Sequence, residues 1–270
     1  MKARQPKALR VSRDARSFRW TSASRSHPGR VRKVNEDACL EQSGRGLWAV
    51  ADGMGGHTLG EFASGLAVQG LMDLPAADDL GQRVNGAMDR LQQVNRRLRG
   101  EALRHDVPLI GTTIAALLAA GNLCSCLWAG DSRIYLYRAG RLRQLTRDHS
   151  HLEAARSRRV ASSDDTVERP RANLITRALG AEDILEIDSI TVELFDGDIF
   201  LLCTDGLSNE VSELSIKQAL LPGNCSLACD ALIDMALGRE ARDNITAVVV
   251  RAEDLGSPDR TILRTLPDPF

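Results

Sequence analysis

Four strand-like runs between residues 112 and 145 are separated by very short, turn-forming spacers. The spacers are centred on Gly121-Asn122, Gly130-Asp131 and Ala139-Gly140. A parallel crossover needs a dozen or more residues, so these spacers permit hairpins and exclude parallel pairing between successive runs. We also expect a hairpin turn at Asp196-Gly197, because Asp-Gly after a strand is typical of a turn. The central part of the chain is therefore predicted to form antiparallel sheet.

Helical periodicity is confined to two parts of the chain. Apolar residues recur at a helical spacing between residues 62 and 98 and again over 227–237, whereas residues 47–51, 187–194, 199–203 and 245–250 read as strands. Runs of strands with helices grouped between them favour a layered α+β domain over a doubly wound parallel sheet. We expect one domain over residues 18–251, preceded by a loose basic leader (1–17) and followed by a C-terminal tail (252–270).

Composition excludes several classes of protein. The chain has 270 residues of which 43% are hydrophobic, which is enough for a sizeable core. Its longest apolar stretch, residues 114–120, is far below the roughly 20 residues needed to cross a bilayer. The first residues lack an apolar signal segment, and the six cysteines lack paired C-x-x-C spacing. We therefore expect a cytoplasmic protein with reduced thiols and no membrane span.

The net charge of −1 conceals an asymmetry. Residues 1–33 contain eleven Lys or Arg and a single acid, Asp14, so they carry +10 and the remainder carries −11. A basic arm of this kind can hold nucleic acid or an anionic membrane. A solvated, mobile leader is the alternative, and it is the commoner behaviour of chain termini.

Several aspartates stand where strand-like runs begin or end. Asp52, Asp131 and Asp205 each follow an apolar run, Asp243 precedes the last one, and Asp37 lies before residues 47–51. If neighbouring strands carry these positions, four or five carboxylates converge, and they cannot all stay ionised without cations. Oxygen ligands without a His or Cys cluster favour Mg²⁺ or Mn²⁺ over Zn²⁺. Two such ions sharing a carboxylate suit the attack of a metal-bound hydroxide on phosphorus.

Eight short segments, in order along the chain, carry a resemblance to a known family. They are GRVRKVNED (29–37), VADGMGGH (50–57), GTT (111–113), GDSR (130–133), LTRDHS (145–150), TRALG (176–180), CTDGL (203–207) and RDNIT (242–246). Together they resemble the metal-dependent protein phosphatases of type 2C, over residues 20–250. The resemblance implies an αββα four-layer sandwich, in which two antiparallel β-sheets are flanked by helix pairs and metals lie between the sheet edges.

The resemblance also implies a set of metal ligands. Asp52 would bridge two ions, and Asp205 and Asp243 would complete the first site. Asp131, sharing Asp205, would anchor the third, weaker ion seen in bacterial members of the family.

Further roles are implied for residues between the strands. Glu36, through water, and the Gly53 carbonyl would serve the second ion, and Asp37 would support the bound waters. Arg32 would hold the substrate phosphate, for which a forked guanidinium is well shaped. Met54 stands where animal members have a histidine proposed as general acid, so the general acid stays unassigned.

The function implied is that of a Mn²⁺- or Mg²⁺-dependent protein serine/threonine phosphatase. It would hydrolyse phosphoserine and phosphothreonine through a metal-bridging hydroxide, without a phosphoenzyme. Implied partners are phosphorylated proteins and a cognate Ser/Thr kinase, with the phosphatase acting as a monomer. The polar segment 148–173 corresponds to the family's variable flap, and the role of His149 at its start stays open. Residues 46–52 and 94–98 look like small stand-alone phosphatases encoded beside type VI secretion systems.

Four other readings compete with this one. Cys39 and Arg45 have the C-x5-R spacing of cysteine-dependent phosphatases, but Glu41 would sit inside the phosphate cradle and no helix is predicted after Arg45. A binding module with a decayed metal site is opposed by the presence of every expected carboxylate. Nucleic-acid binding through residues 1–33 rests on charge alone. A nucleotide P-loop fails, because no Lys-Ser or Lys-Thr follows the glycines at 53–60.

Overall fold

A computed structural model describes residues 17–55, 58–75, 77, 79–150 and 176–256 of the chain. The strands are β1 Phe18–His27, β2 Asp37–Gln42, β3 Leu47–Met54, β4 Gly111–Thr112, β5 Ile114–Ala120, β6 Leu123–Ala129, β7 Arg133–Arg138, β8 Arg141–Gln144, β9 Asp188–Glu193, β10 Ile199–Cys203 and β11 Ile245–Asp254. The helices are α1 Thr58–Met72, α2 Leu80–Arg104, α3 Asp205–Ser208, α4 Glu213–Leu220 and α5 Cys225–Leu237, with a 3₁₀ turn at Ser43–Arg45.

The strands form two sheets, and every pairing within them is antiparallel. One sheet has the order β1-β11-β10-β7-β8, and the other has the order β2-β3-β5-β6-β9 with β4 paired to β3. Helices α1 and α2 pack on the second sheet, whereas α4 and α5 pack on the first. The predicted αββα four-layer sandwich is confirmed.

Two-residue alternation along the strands builds the layers. In β10, Leu201 packs toward the α4–α5 layer, whereas Phe200 and Leu202 pack between the sheets. In β3, Ala49 faces α1 and α2, whereas Trp48 lies fully buried between the sheets. Successive side chains of a strand point to opposite faces, so a strand buried on both faces is apolar throughout. The same alternation decides which polar residues near the strand ends face the gap between the sheets.

The short spacers act in two different ways. Gly121-Asn122 and Ala139-Gly140 close the hairpins β5–β6 and β7–β8, as expected. Gly130-Asp131 instead leads from β6 in one sheet to β7 in the other. The hairpin expected at Asp196-Gly197 is wrong, because β9 and β10 also lie in different sheets. A short spacer excludes parallel pairing, but it allows a strand to cross to the facing sheet as readily as to pair with its predecessor.

The expected domain, residues 18–251, ends close to the first and last residues that the structure describes, 17 and 256. Strand β11 continues to Asp254, three residues beyond the expected end of the domain at residue 251, and the Leu255 N–H donates to the Ser17 carbonyl at 2.9 Å. Residues 1–16 and 257–270 lie outside the described residues, as do residues 151–175 of the expected flap. In the part that the structure describes, no helix is long and apolar enough to cross a membrane.

Candidate metal and phosphate site

Two of the predicted site residues lie side by side at one end of the sandwich. Asp37 begins β2 and is the register partner of Asp52 in β3. Alternation along β3 places Asp52 on the same face as Trp48, toward the facing sheet. The Asp52 N–H donates to the Thr113 hydroxyl at 3.0 Å, and the Thr113 N–H donates to the Asp52 carbonyl at 2.9 Å. The Asp52 backbone is therefore fixed against the neighbouring strand.

The facing sheet contributes two buried threonines. Thr204 follows β10 and Thr246 lies in β11, and their hydroxyls donate to the same Asp37 oxygen, Oδ2, at 2.8 and 2.7 Å. The Thr246 N–H in turn donates to the Thr204 hydroxyl at 3.0 Å. These bonds join the two sheets across their gap. They leave Asp37 Oδ1 buried without a hydrogen-bond partner in the described residues.

Asp205 stands where β10 gives way to α3. The side-chain amide of Asn209 donates to Asp205 Oδ2 at 3.1 Å, whereas Oδ1 is buried without a hydrogen-bond partner in the described part of the chain. At the next position, any Cβ on Gly206 would collide with the Asn244 carbonyl. Glycine at 206 thus lets α3 approach the start of β11, and this close approach brings Asp205 toward Asp243.

Asp131 approaches the same cleft from the end of β6. The preceding Gly130 has φ +113°, and a Cβ there would lie 2.6 Å from the Thr113 side chain. The following Ser132 hydroxyl hydrogen-bonds with the Thr113 hydroxyl at 2.7 Å. Asp131 Oδ1 is buried, and no hydrogen-bond partner for it lies in the described ranges. The crossover between the sheets is what carries Asp131 into the site.

Asn244 fixes the loop that carries Glu36 and Arg32. Its side-chain amide donates to the carbonyls of Pro28 and Val34, both at 3.0 Å, and its Oδ1 accepts from the Glu36 N–H at 2.8 Å. Asn244 is only 3% exposed. All three bonds reach the loop between β1 and β2, so one buried side chain holds both ends of that loop.

Gly53 lies against the same loop. Its N–H donates to the Glu36 carbonyl at 3.1 Å, and a Cβ at Gly53 would collide with the Gly60 carbonyl. A Cβ at Gly60 would in turn collide with the Glu36 carboxyl group. The glycines therefore allow the start of α1, the end of β3 and Glu36 to meet closely.

The carboxyl groups interact strongly with one another. Burial raises the pKa of Asp52 well above its ordinary value, and the charges of Asp37, Asp205, Asp131 and Asp243 raise it further. Burial likewise raises the pKa of Asp37 and of Asp131, each to about 7. Burial and the neighbouring Asp243 raise the pKa of Asp205. Five carboxyl groups thus share one poorly solvated cleft, where they cannot all ionise unless cations neutralise them.

One cation of the chain already touches this cluster. An Arg32 guanidinium nitrogen lies 2.9 Å from Asp243 Oδ2, and this contact raises the pKa of Arg32. Asp243 Oδ1 accepts from the Asn244 N–H at 2.9 Å. Both side chains of the ion pair are about half exposed, at 50% and 40%. Arg32 therefore stands at the open side of the cleft, above the buried carboxyl groups.

The residues present fit divalent cations. Buried oxygens of Asp37, Asp131 and Asp205 lack hydrogen-bond partners in the described residues, and hard cations take such oxygen ligands. In the described ranges, no three acidic, His or Cys side chains already stand in the geometry of a metal centre.

His149 connects the base of the expected flap to β9. Its Nε2 lies 3.2 Å from Asp188 Oδ2, and its Nδ1 accepts from the Gly130 N–H at 3.2 Å. Burial lowers the pKa of His149. The ring also stacks with Trp128, at 6.2 Å between centroids. These contacts give His149 a structural role beside Asp131.

The Cys39–Arg45 spacing does not form a phosphate cradle. Cys39 lies within β2, and burial raises the pKa of its thiol, which disfavours the reactive thiolate. Arg45 donates to the Met72 carbonyl at 2.7 Å and to the Leu74 carbonyl, near the end of α1. The cysteine-phosphatase alternative is therefore wrong.

The structure brings together most of the predicted site and adds three residues to it. Asp37, Asp52, Asp131, Asp205 and Asp243 share one cleft, and Arg32 stands at its opening. Glu36 lies in the adjoining loop, and Gly53 lies against that loop at the end of β3. Sequence reasoning missed the roles of Thr204, Thr246 and Asn244. Alternation along β11 places Thr246 on the inner face, but its partner belongs to another sheet and is distant in sequence.

The chain matches a family and its curated members. The model of a family described as Protein phosphatase 2C matches residues 25–224. The serine/threonine phosphatase Stp of Listeria welshimeri is 34% identical over 84% of this chain and 93% of its own length. The serine/threonine protein phosphatase PstP of Mycobacterium tuberculosis is 35% identical over 86% of this chain, which spans 45% of that protein. The chain thus spans about half the length of PstP.

Solved structures share the fold. PppA, described as a key regulatory component of T6SS in Pseudomonas aeruginosa, has a TM-score of 0.81 at 44% identity, covering 86% of this chain and 97% of that one. The catalytic domain of PstP, solved with two manganese ions, has a TM-score of 0.78 at 34% identity, and the match covers 88% of this chain and 100% of that one.

Proposed function

Because the chain belongs to the protein phosphatase 2C family, we propose that it is a metal-dependent protein serine/threonine phosphatase that hydrolyses phosphoserine and phosphothreonine. The observation that carries this proposal is the cluster of five carboxyl groups, of which Asp243 is half exposed and pairs with Arg32 at the opening of the cleft. Such a cleft is suited to cations and, through them and the guanidinium, to a phosphate dianion.

The carboxyl groups would hold two core ions and a weaker third, either Mn²⁺ or Mg²⁺. Asp52 would bridge the core ions, with Asp205 and Asp243 completing one site. Asp131 would hold the third ion together with Asp205. When bound, the ions activate water and polarise the phosphate. Buried carboxylate oxygens without hydrogen-bond partners in the described residues, together with the raised pKa values of Asp52 and Asp205, support this assignment.

Residues around Asp37 serve the second ion and the attacking water. Glu36, through water, and the Gly53 carbonyl would hold that ion. Asp37 keeps Oδ2 bonded to Thr204 and Thr246, so its Oδ1 is the atom that can take or release a proton. In the metal-free protein, burial raises the pKa of the Asp37 carboxyl group to about 7.

Arg32 binds the substrate phosphate in this scheme. Its guanidinium is half exposed and is paired with a carboxylate that a cation would neutralise. Asp243 would hold an ion, and the planar fork of Arg32 would then be free to present two N–H groups to phosphate oxygens. Binding energy from this contact favours the doubly charged phosphate over neutral esters.

The biological setting is also part of the proposal. All six cysteines are free thiols, which supports a cytoplasmic protein. The similarity to PppA supports a role in type VI secretion control, opposing a bacterial Ser/Thr kinase. We propose that the phosphatase acts as a monomer on phosphorylated proteins.

Phosphate release from a phosphothreonine peptide tests the proposed activity. The protein as purified is stripped with EDTA, and Mn²⁺ is then added back. We expect activity to disappear with EDTA, to return with Mn²⁺ and to survive alkylation of the thiols. Asp52→Asn should stay inactive at every Mn²⁺ concentration, whereas Asp73→Asn, an exposed carboxylate at the end of α1, should match wild type. Hydrolysis that persists in EDTA would refute the proposal.

A further inference from the structure

The loop between β1 and β2 presents five consecutive exposed side chains beside the site. They are Arg30, Val31, Arg32, Lys33 and Val34. Val31 is 65% exposed and Val34 is 39% exposed. The middle residue of the five, Arg32, reaches Asp243. The other four side chains therefore lie around the residue proposed to bind phosphate.

This loop is held in one conformation. Gly29 has φ +79°, and a Cβ there would lie 2.7 Å from the Ala241 carbonyl and would collide with the Asp243 carbonyl. The Arg30 N–H donates to the Ala241 carbonyl at 2.8 Å. With Asn244 bonded to both ends, the loop is organised before any ligand arrives, which lowers the entropic cost of binding.

Two cations of the loop have no counterion among the described residues. Among the described residues, neither Arg30 nor Lys33 makes an ion pair or a side-chain hydrogen bond, whereas Arg25 and Arg138 pair with Asp230 and Asp198. Uncompensated cations beside a binding site attract anionic groups and disfavour basic ones.

The spacing of these cations matches a peptide that carries the phosphate. Arg30 and Lys33 are two and one residues from Arg32, so their Cα atoms lie within roughly 7 Å and 4 Å of its Cα. An extended substrate advances about 3.3–3.6 Å per residue. Side chains one to three residues from the phosphorylated one therefore reach the two cations.

From these observations we propose that residues 30–34 form a docking lip that selects phosphorylated segments with acidic residues beside the phosphoserine or phosphothreonine. Arg30 and Lys33 are its specificity-determining residues, and Val31 contacts the backbone or a small apolar side chain of the same segment. This inference rests on the proposed phosphatase function and adds to it the class of substrate.

The test compares three phosphothreonine peptides that differ only in their flanking residues, which are Asp/Glu, Asn/Gln or Lys/Arg. We measure kcat/KM with saturating Mn²⁺ at low ionic strength for wild type, for the double variant Arg30→Gln/Lys33→Gln and for Arg96→Gln. Arg96 is an exposed arginine of α2 and serves as the matched control. Wild type also receives p-nitrophenyl phosphate, which has no flanking residues.

Wild type and Arg96→Gln should prefer the acidic over the neutral peptide by about threefold to tenfold, as expected for two exposed ion pairs. In the double variant, the ratio of kcat/KM for the acidic peptide to kcat/KM for the neutral peptide should fall to about one. Added salt should lower the same ratio in wild type. An unchanged ratio in the double variant, or an equal loss of kcat/KM for all three peptides, would overturn the proposal that the docking lip selects acidic segments. Absence of Mn²⁺-dependent hydrolysis of every substrate, including p-nitrophenyl phosphate, would instead overturn the proposed function.

Discussion

Replacing Asn244 by alanine removes the side chain that holds both ends of the β1–β2 loop. Three hydrogen bonds are lost, at 2.8, 3.0 and 3.0 Å, and the side chain is 3% exposed. At about 0.5–1.5 kcal/mol each, their loss should lower the free energy of unfolding by about 2–4 kcal/mol. The released loop carries Arg32, so we also expect a higher KM for a phosphothreonine peptide.

Urea unfolding and a double-mutant cycle measure the two effects separately. Asn224→Ala is the matched control, because Asn224 caps α5 through a bond to the Leu227 N–H at 3.0 Å, away from the cleft. It should cost about 1 kcal/mol of stability and leave KM unchanged. In the Asn244→Ala background, Arg32→Ala should lose most of its effect on kcat/KM. If the losses of kcat/KM caused by Asn244→Ala and by Arg32→Ala, expressed as free energies, add to within about 0.5 kcal/mol in the double variant, Asn244 does not position Arg32.

Three further predictions concern charge in the cleft. Asp205→Asn should lower kcat at least about a hundredfold and weaken Mn²⁺ binding in calorimetry, because a charged ligand is lost; wild-type turnover would contradict its assignment. Arg32→Ala should mainly raise KM for phosphorylated peptide, and an unchanged KM in steady-state assays would count against phosphate binding. Burial raises the pKa values of Asp37 and Asp131 to about 7. The folded protein therefore holds these two protons more tightly than the unfolded chain, and the stability that this protonation contributes is lost as pH rises from about 4 to 7. The metal-free protein should therefore have a lower Tm at pH 8 than at pH 5, with Mn²⁺ reversing the difference; a Tm that rises with pH would contradict the buried cluster.

Much of the fold follows from local patterns. The short spacers predict antiparallel sheet, and the apolar runs at 47–51 and 199–203 predict strands. The structure confirms both, with β3 and β10 buried on both faces. The hairpin expected at Asp196-Gly197 is wrong, since the turn residues of a hairpin and of a crossover between facing sheets are alike. Helix α4 has only eight residues and was not predicted, because so short a helix depends on packing more than on periodicity.

The acidic part of the site was easier to predict than its neutral part. Aspartates at the ends of apolar strands stand out in sequence, because burying a carboxyl group is costly and calls for a compensating partner. Thr204 and Thr246 do not stand out, since hydroxyl residues are common in strands. Their role depends on Asp37 reaching across from the other sheet, about which local sequence carries no information.

Anomalous diffraction from crystals soaked in manganese tests the central claim most directly. We predict two strong peaks in the cleft, both within bonding distance of the Asp52 carboxylate, with Asp205 and Asp243 on one of them. Manganese bound elsewhere, or no peak in this cleft at saturating concentration, would contradict the account.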